Sequence, residues 1–170
     1  MIYKLIALAA AVLVGSVAVL AAGGGLPQAG LRPGAPSALS AALPAKAHTG
    51  PLPALPRVSY EPPRPQAYVQ QVYEFAARHP EVLQYVPCYC GCEREGHTAN
   101  HSCFVKSRAA DGRVTEWDSH GLGCTVCLDV AHDAMTLFTA GTKTAAIREA
   151  IDKKYASNFP SSTPTPRPAR

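Results

Sequence analysis

Apolar positions recur with a helical period in three stretches of the chain and with no period in two others. From Gln66 to His79, the residues Tyr68, Val72, Phe75 and Ala76 fall at i, i+4, i+7 and i+8, so one stripe predicts an amphipathic helix. Pro65 opens it, where a missing N–H costs nothing, and Pro80 pushes His79 out of the helical region and ends it. A short helical turn is expected through Val82, Leu83 and Tyr85. Between Thr125 and Thr139, the residues Val126, Cys127, Val130, Ala131, Ala134, Leu137 and Phe138 share a second helical face, which Gly141 terminates. Ile147, Ile151 and Tyr155, spaced by four, predict a last helix from about Lys143, with Lys153 and Lys154 suiting its C-terminal end. Asp111-Gly112 separates two short β-type segments, Cys103 to Lys106 and Val114 to Trp117, compatible with a small hairpin or with an irregular loop.

The aperiodic stretches have a different physical cause. Between Gly23 and Pro65, prolines at 27, 33, 36, 44, 51, 53, 56, 62, 63 and 65 remove backbone donors and fix φ, so neither helix nor sheet can propagate. Residues 26–65 are therefore expected to form a disordered Pro/Ala-rich spacer, and residues 160–170 a tail of the same character. Ahead of them, Lys4 precedes an apolar run from Leu5 to Ala22 that ends at Gly23-Gly24-Gly25. These are the parts of a secretory signal, with Val19-Leu20-Ala21 offering a cleavage site. A run of about 18 apolar residues also suffices for an uncleaved membrane anchor. Residues 1–25 are thus a signal peptide or an anchor, and no cysteine directly follows the run to accept a lipid. The expected fold class is mainly α: one small helical domain over 66–159, with an irregular Cys-rich segment among its helices.

Charge narrows the function classes. The net formal charge of +4 arises outside the domain, because all twelve acidic residues lie at or after Glu61, whereas Lys4, Arg32, Lys46 and Arg57 precede it. The domain itself is close to neutral and shows no basic patch for nucleic acid. Acid–base pairs, nucleophile elbows and phosphate loops are absent from the sequence, which leans away from an enzyme.

Chemistry concentrates in one place. All six cysteines lie between residues 88 and 127: Cys88, Cys90 and Cys92 as C-x-C-x-C, Cys103 alone, and Cys124 with Cys127 as C-x-x-C. C-x-x-C at the start of a helix sets its two sulfurs one turn apart, where the helix N-terminus favours thiolate over thiol. C-x-C-x-C sets sulfurs at alternate residues, with Gly91 letting the loop fold around bound ions. His97 and His120 each lie within a few residues of a cysteine and complete the candidate ligand set. His101 follows His97 by four residues in a segment not clearly helical and is left out. His79 is expected to face solvent, His132 to lie on the polar side of its helix, and His48 to sit in the spacer. Asp118 is a candidate for orienting the His120 imidazole.

Pro87-Cys88-Tyr89-Cys90-Gly91-Cys92, followed by Gly96-His97, Cys103-Phe104 and His120…Cys124-x-x-Cys127, resembles the PCYCGC-motif family of bacterial exported proteins. The similarity spans roughly residues 66–157 and implies export and a shared Cys/His site, not a reaction. Six thiolates exceed the needs of one tetrahedral zinc site, whereas soft Cu(I) accepts thiolates at low coordination number. An extracytoplasmic Cu(I)-binding protein that buffers, senses or delivers the metal is therefore expected, with zinc as a second metal. Three disulfides stapling a small interaction domain account for the same six cysteines. Thiol–disulfide exchange is the third alternative, although Gly121-Leu122-Gly123 before Cys124 is not the strand of a thioredoxin-like βαβ unit.

Overall fold

A computed structural model describes residues 45–169. The signal or anchor segment, and the spacer as far as Pro44, lie outside the described residues. Among the described residues no helix is long and apolar enough to cross a membrane.

Among the described residues, five helices and one hairpin follow in chain order: α1 (Gln66–Arg78), α2 (Pro80–Leu83), β1 (Val105–Arg108), β2 (Val114–Trp117), α3 (His120–Gly123), α4 (Thr125–Thr139) and α5 (Thr144–Tyr155). The segment between α2 and β1 contains only two 3-10 turns, Cys92–Glu95 and Asn100–Cys103. The domain is thus mainly helical with a Cys-rich irregular segment. α4 is the central element, packing against α1 on one side and α5 on another. Its Leu128, Val130, Ala131 and Ala134 are fully buried, as are Val72 and Ala76 of α1 and Ile147 of α5.

The predicted stripes are largely buried, Val72, Phe75 and Ala76 on α1 and Cys127, Val130, Ala131 and Ala134 on α4, and neighbouring residues widen them. On α1, Val69 and Tyr73 enter the core, while Tyr68 stays half-buried at the edge and donates to Asp129 of α4 at 3.1 Å. On α4, Leu128 is interior, while Val126, Leu137 and Phe138 are half-buried. His79 packs against the Phe138 ring, with centroids 4.5 Å apart, instead of standing in solvent. His132 stacks on Tyr68 at 4.4 Å.

Of the two conformations open for residues 105–117, the structure adopts the hairpin. Its strands are antiparallel, Val105 opposite Trp117 and Arg108 opposite Val114, with an irregular register between them. The Arg108 guanidinium reaches back to α1 and donates to the Ala76 and Ala77 carbonyls, both at 2.9 Å. Those carbonyls belong to the last turn of the helix, which leaves them without intrahelical partners.

Residues 45–65 differ from the expectation of disorder. They form an extended strap whose Leu52, Leu55 and Val58 pack against the core. His48 is buried: its backbone N–H donates to Ala77 O at 2.9 Å, and its Nδ1 accepts from the Val114 N–H at 2.9 Å. The Trp117 indole donates to Pro53 O at 3.1 Å. Prolines forbid internal pairing, but they do not prevent a chain from being held by side chains of another element. Residues 160–169 also differ. Thr163 is buried, and Arg148 donates to the carbonyls of Tyr85 at 3.0 Å and Pro166 at 3.2 Å, fastening the tail to α5.

Candidate metal centre

The Cys-rich segment folds back because Gly91 takes a left-handed conformation, φ +83°, that a side chain would strain. This reversal between Cys90 and Cys92 aims Cys90 toward α3 and α4, and Cys92 toward the second 3-10 turn. α4 begins at the other half of the site. Cys124 is its N-cap, and its Sγ accepts from the Cys127 N–H at 3.4 Å. Cys127, one turn in, points to the interior with Val130 and Ala131.

All eight side chains expected from the sequence are brought into one continuous cluster. Cys88 Sγ lies 3.2 Å from Cys127 Sγ and 3.4 Å from Cys90 Sγ. Cys90 Sγ lies 3.5 Å from both Cys127 Sγ and His120 Nε2. On the far side Cys92 Sγ is 3.6 Å from Cys103 Sγ, which is 3.4 Å from His97 Nδ1. Four overlapping sets have their ligand atoms mutually within 4.8 Å: Cys90-His120-Cys124-Cys127, Cys88-Cys90-Cys92, Cys88-Cys103-Cys127 and Cys92-His97-Cys103. Such a cluster has the donor types and spacing to hold a metal ion. Two bonds of about 2.3 Å at a tetrahedral centre separate their sulfurs by about 3.8 Å. Sulfurs at 3.2–3.6 Å need only a small adjustment to reach that spacing.

The same distances correct the disulfide alternative. All six cysteines are free thiols. A covalent pair requires about 2.05 Å between sulfurs, and here each sulfur has several neighbours at similar range instead of one partner.

Charge within the cluster is shared unevenly. Hydrogen bonds from Cys103 and then Cys127 hold the Cys88 thiol down to about 4. Cys90 is also pushed down, first by Cys103 and then by Cys124. Cys127 is pushed up, first by Cys103 and then by Cys124, and keeps its proton as a donor. His120, hydrogen-bonded first to Cys124 and then to Cys90, is raised to about 10.

Asp118 plays a different part from the one expected. Its Oδ1 accepts from the His120 backbone N–H at 2.8 Å, while its Oδ2 faces Nε2 of His97 at 3.6 Å. His97, not His120, therefore has a carboxylate behind its ring, the arrangement that orients ligating imidazoles. His101 stays outside the cluster and accepts from Arg108 at 3.1 Å.

Two supporting residues were missed by sequence reasoning. Asn100 is fully buried, and its Nδ2 donates to Cys127 O at 3.1 Å. Thr163 pairs with the backbone of Cys88. A polar residue inside the Cys-rich stretch was a signal for Asn100, whereas nothing in the tail marked Thr163.

Residues 54–168 match the family described as "Protein of unknown function with PCYCGC motif", and the chain belongs to that family. No curated protein and no solved structure matches the chain.

Proposed function

We propose that this domain binds Cu(I) through a polynuclear thiolate cluster, on the outer side of the cytoplasmic membrane, and serves to buffer, sense or deliver the metal. The observation that carries this function is the sharing of sulfurs: Cys88, Cys90, Cys92, Cys103 and Cys127 each belong to two of the overlapping ligand sets. A single tetrahedral ion needs four donors, and eight converge here. Bridging thiolates let several soft, low-coordinate ions occupy such a cluster, which suits Cu(I) over harder cations. Burial of Cys88, Cys92, Cys103 and Cys127 favours retention and protects the thiolates from oxidation. The apolar run from Leu5 to Ala22 supports export, with residues 26–44 as a tether or spacer.

One observation favours a second metal. Cys90, His120, Cys124 and Cys127 form a Cys3His tetrad, a common structural zinc set. Anaerobic purification from the native compartment, followed by elemental analysis and thiol counting, separates the two. More than one copper per chain with all six thiols protected supports the copper function. One zinc and three reactive thiols supports the zinc alternative, and three disulfides with no metal overturns both.

A further inference from the structure

The eight ligands are not equally reachable. Cys88, Cys103 and Cys127 have no exposed surface, Cys92 is 2% exposed and His97 is 9% exposed. Only Cys90, His120 and Cys124 are half-buried. Those three line one open depression on the surface, rimmed by Tyr60 and Glu61 of the strap. The inner set, Cys92-His97-Cys103, shares no residue with the outer set, Cys90-His120-Cys124-Cys127, and meets it where the His97 and His120 rings stand edge to face, centroids 5.2 Å apart.

We infer that the cluster is divided by exposure into an outer, exchanging subsite, formed by Cys90, His120 and Cys124, and an inner, retained subsite, formed by Cys92, His97 and Cys103, with the buried Cys88 and Cys127 open to sharing by both. The division presupposes the copper binding proposed above. Copper passes at the outer subsite by ligand exchange: a thiolate or chelator from solution binds the ion as a protein thiolate leaves it, with no change of oxidation state. The inner ion has no such approach. Its release requires the tail, which Thr163 ties to Cys88 and Thr165 to Thr98, to lift, and local opening of packed segments is slow and costly compared with exchange at an exposed edge.

Tyr60 sets access to the outer subsite. It is the large hydrophobic residue most open to solvent among the described residues, 48% exposed. Its hydroxyl sits where Gly123 leaves room, only 2.9 Å from the position a Cβ would take there. A glycine beside Cys124 thus lets an aromatic ring lie at the mouth of the depression. Nothing in that position ligates, so its effect is on rate and not on capacity.

The test uses the metal-loaded full chain and a water-soluble Cu(I) chelator, bathocuproine disulfonate, with copper transfer followed by absorbance. Wild type is expected to release copper in two phases separated by about tenfold or more. Cys124→Ser should remove the fast phase and lower the copper count while the slow phase persists. Tyr60→Ala should change the fast rate alone, leaving the count and the slow phase as in wild type. A single phase in wild type, or equal loss from both phases in Cys124→Ser, overturns the division while leaving copper binding intact. Failure of wild type to take up any Cu(I) overturns the copper function itself.

Discussion

Thr163 holds the backbone of Cys88 on both sides, although 75 residues separate them. The Cys88 N–H donates to Thr163 Oγ1 and the Thr163 N–H donates to Cys88 O, each at 2.9 Å. A tail of prolines, serines and threonines thereby becomes part of the wall of the cluster.

Replacing Thr163 by Val removes the hydroxyl and leaves a buried N–H of Cys88 without a partner. The expected cost is about 1–3 kcal/mol, the penalty for an unsatisfied buried donor, measured by chemical denaturation of the metal-free protein. Deleting residues 161–170 should cost more, because it also removes the carbonyls that Arg148 binds. An unchanged midpoint in both variants would show that the tail does not support Cys88.

Arg148 is the anchor on the other side of that tail. It is 9% exposed, donates through Nε to both oxygens of Asp152 at 2.8 and 2.9 Å, and uses NH1 for the Tyr85 and Pro166 carbonyls. Arg148→Ala strands several acceptors and should destabilise by about 3–5 kcal/mol, the range for breaking a buried pair on one side. Lysine cannot reproduce a fork that serves a carboxylate and carbonyls at once, so Arg148→Lys should recover only part of the loss. Full recovery by Lys would mean that charge alone matters.

Much of this arrangement could be read from residue order. α4 begins and ends where its periodicity and Gly141 place it, and Asp111-Gly112 marks the hairpin. The convergence of the eight candidate residues was legible because Cys and His crowded into 40 residues have little packing purpose. The strap and the tail were not legible for a physical reason. Their order comes from single tertiary bonds, His48 to Val114, Trp117 to Pro53, Thr163 to Cys88, which leave no period in the sequence. The exchange of Tyr68 for Val69 at the start of the α1 stripe has a similar origin. Tyr68 is drawn to the edge by its hydroxyl, which finds Asp129, and Val69 takes the interior position.

Alkaline stability follows from that same Tyr68. Burial first, and then the neighbouring Asp129 carboxylate, raise its phenol to about 12. An unfolded tyrosine ionises near about 10. Below that pH both states hold the proton and the contribution to stability is complete. As pH rises from about 10 towards about 12 the unfolded chain releases its proton first, so stability falls. Thermal melts of metal-free wild type and Tyr68→Phe across this range should show a steeper decline for wild type. Parallel declines would remove Tyr68 as a cause.

Leu128 and Leu137 lie on the same helix but differ in what they bury. Leu128 has no exposed surface, so Leu128→Ala should cost about 2–5 kcal/mol through lost transfer energy and a cavity. Leu137 is half-buried near the helix end and should cost clearly less when truncated. Neither change removes a ligand, so copper per folded chain should be the same in both variants. A lower count in Leu128→Ala would mean that the core and the cluster fold as one unit.

Cys127→Ser tests that coupling directly. Cys127 is fully buried, lies within 3.5 Å of both Cys88 and Cys90, and stands on the face of α4 that also presents Val130 and Ala131 to the core. A hydroxyl there is a poor ligand for a soft ion and a poorer fit among sulfurs and methyl groups. Two losses should therefore appear together. In metal-free protein the melting temperature should fall, because a polar group replaces a thiol in the interior. In protein given Cu(I), the rise in melting temperature on loading should shrink, because metal binding at such a site is folding free energy and one bridging thiolate is gone. Cys124→Ser, at the half-buried rim, should show the second loss without the first. The comparison is read from four melting temperatures, each variant with and without copper, against wild type. If Cys127→Ser took up less copper at an unchanged melting temperature in both states, the site would be an appendage of the helix and not part of the core it packs.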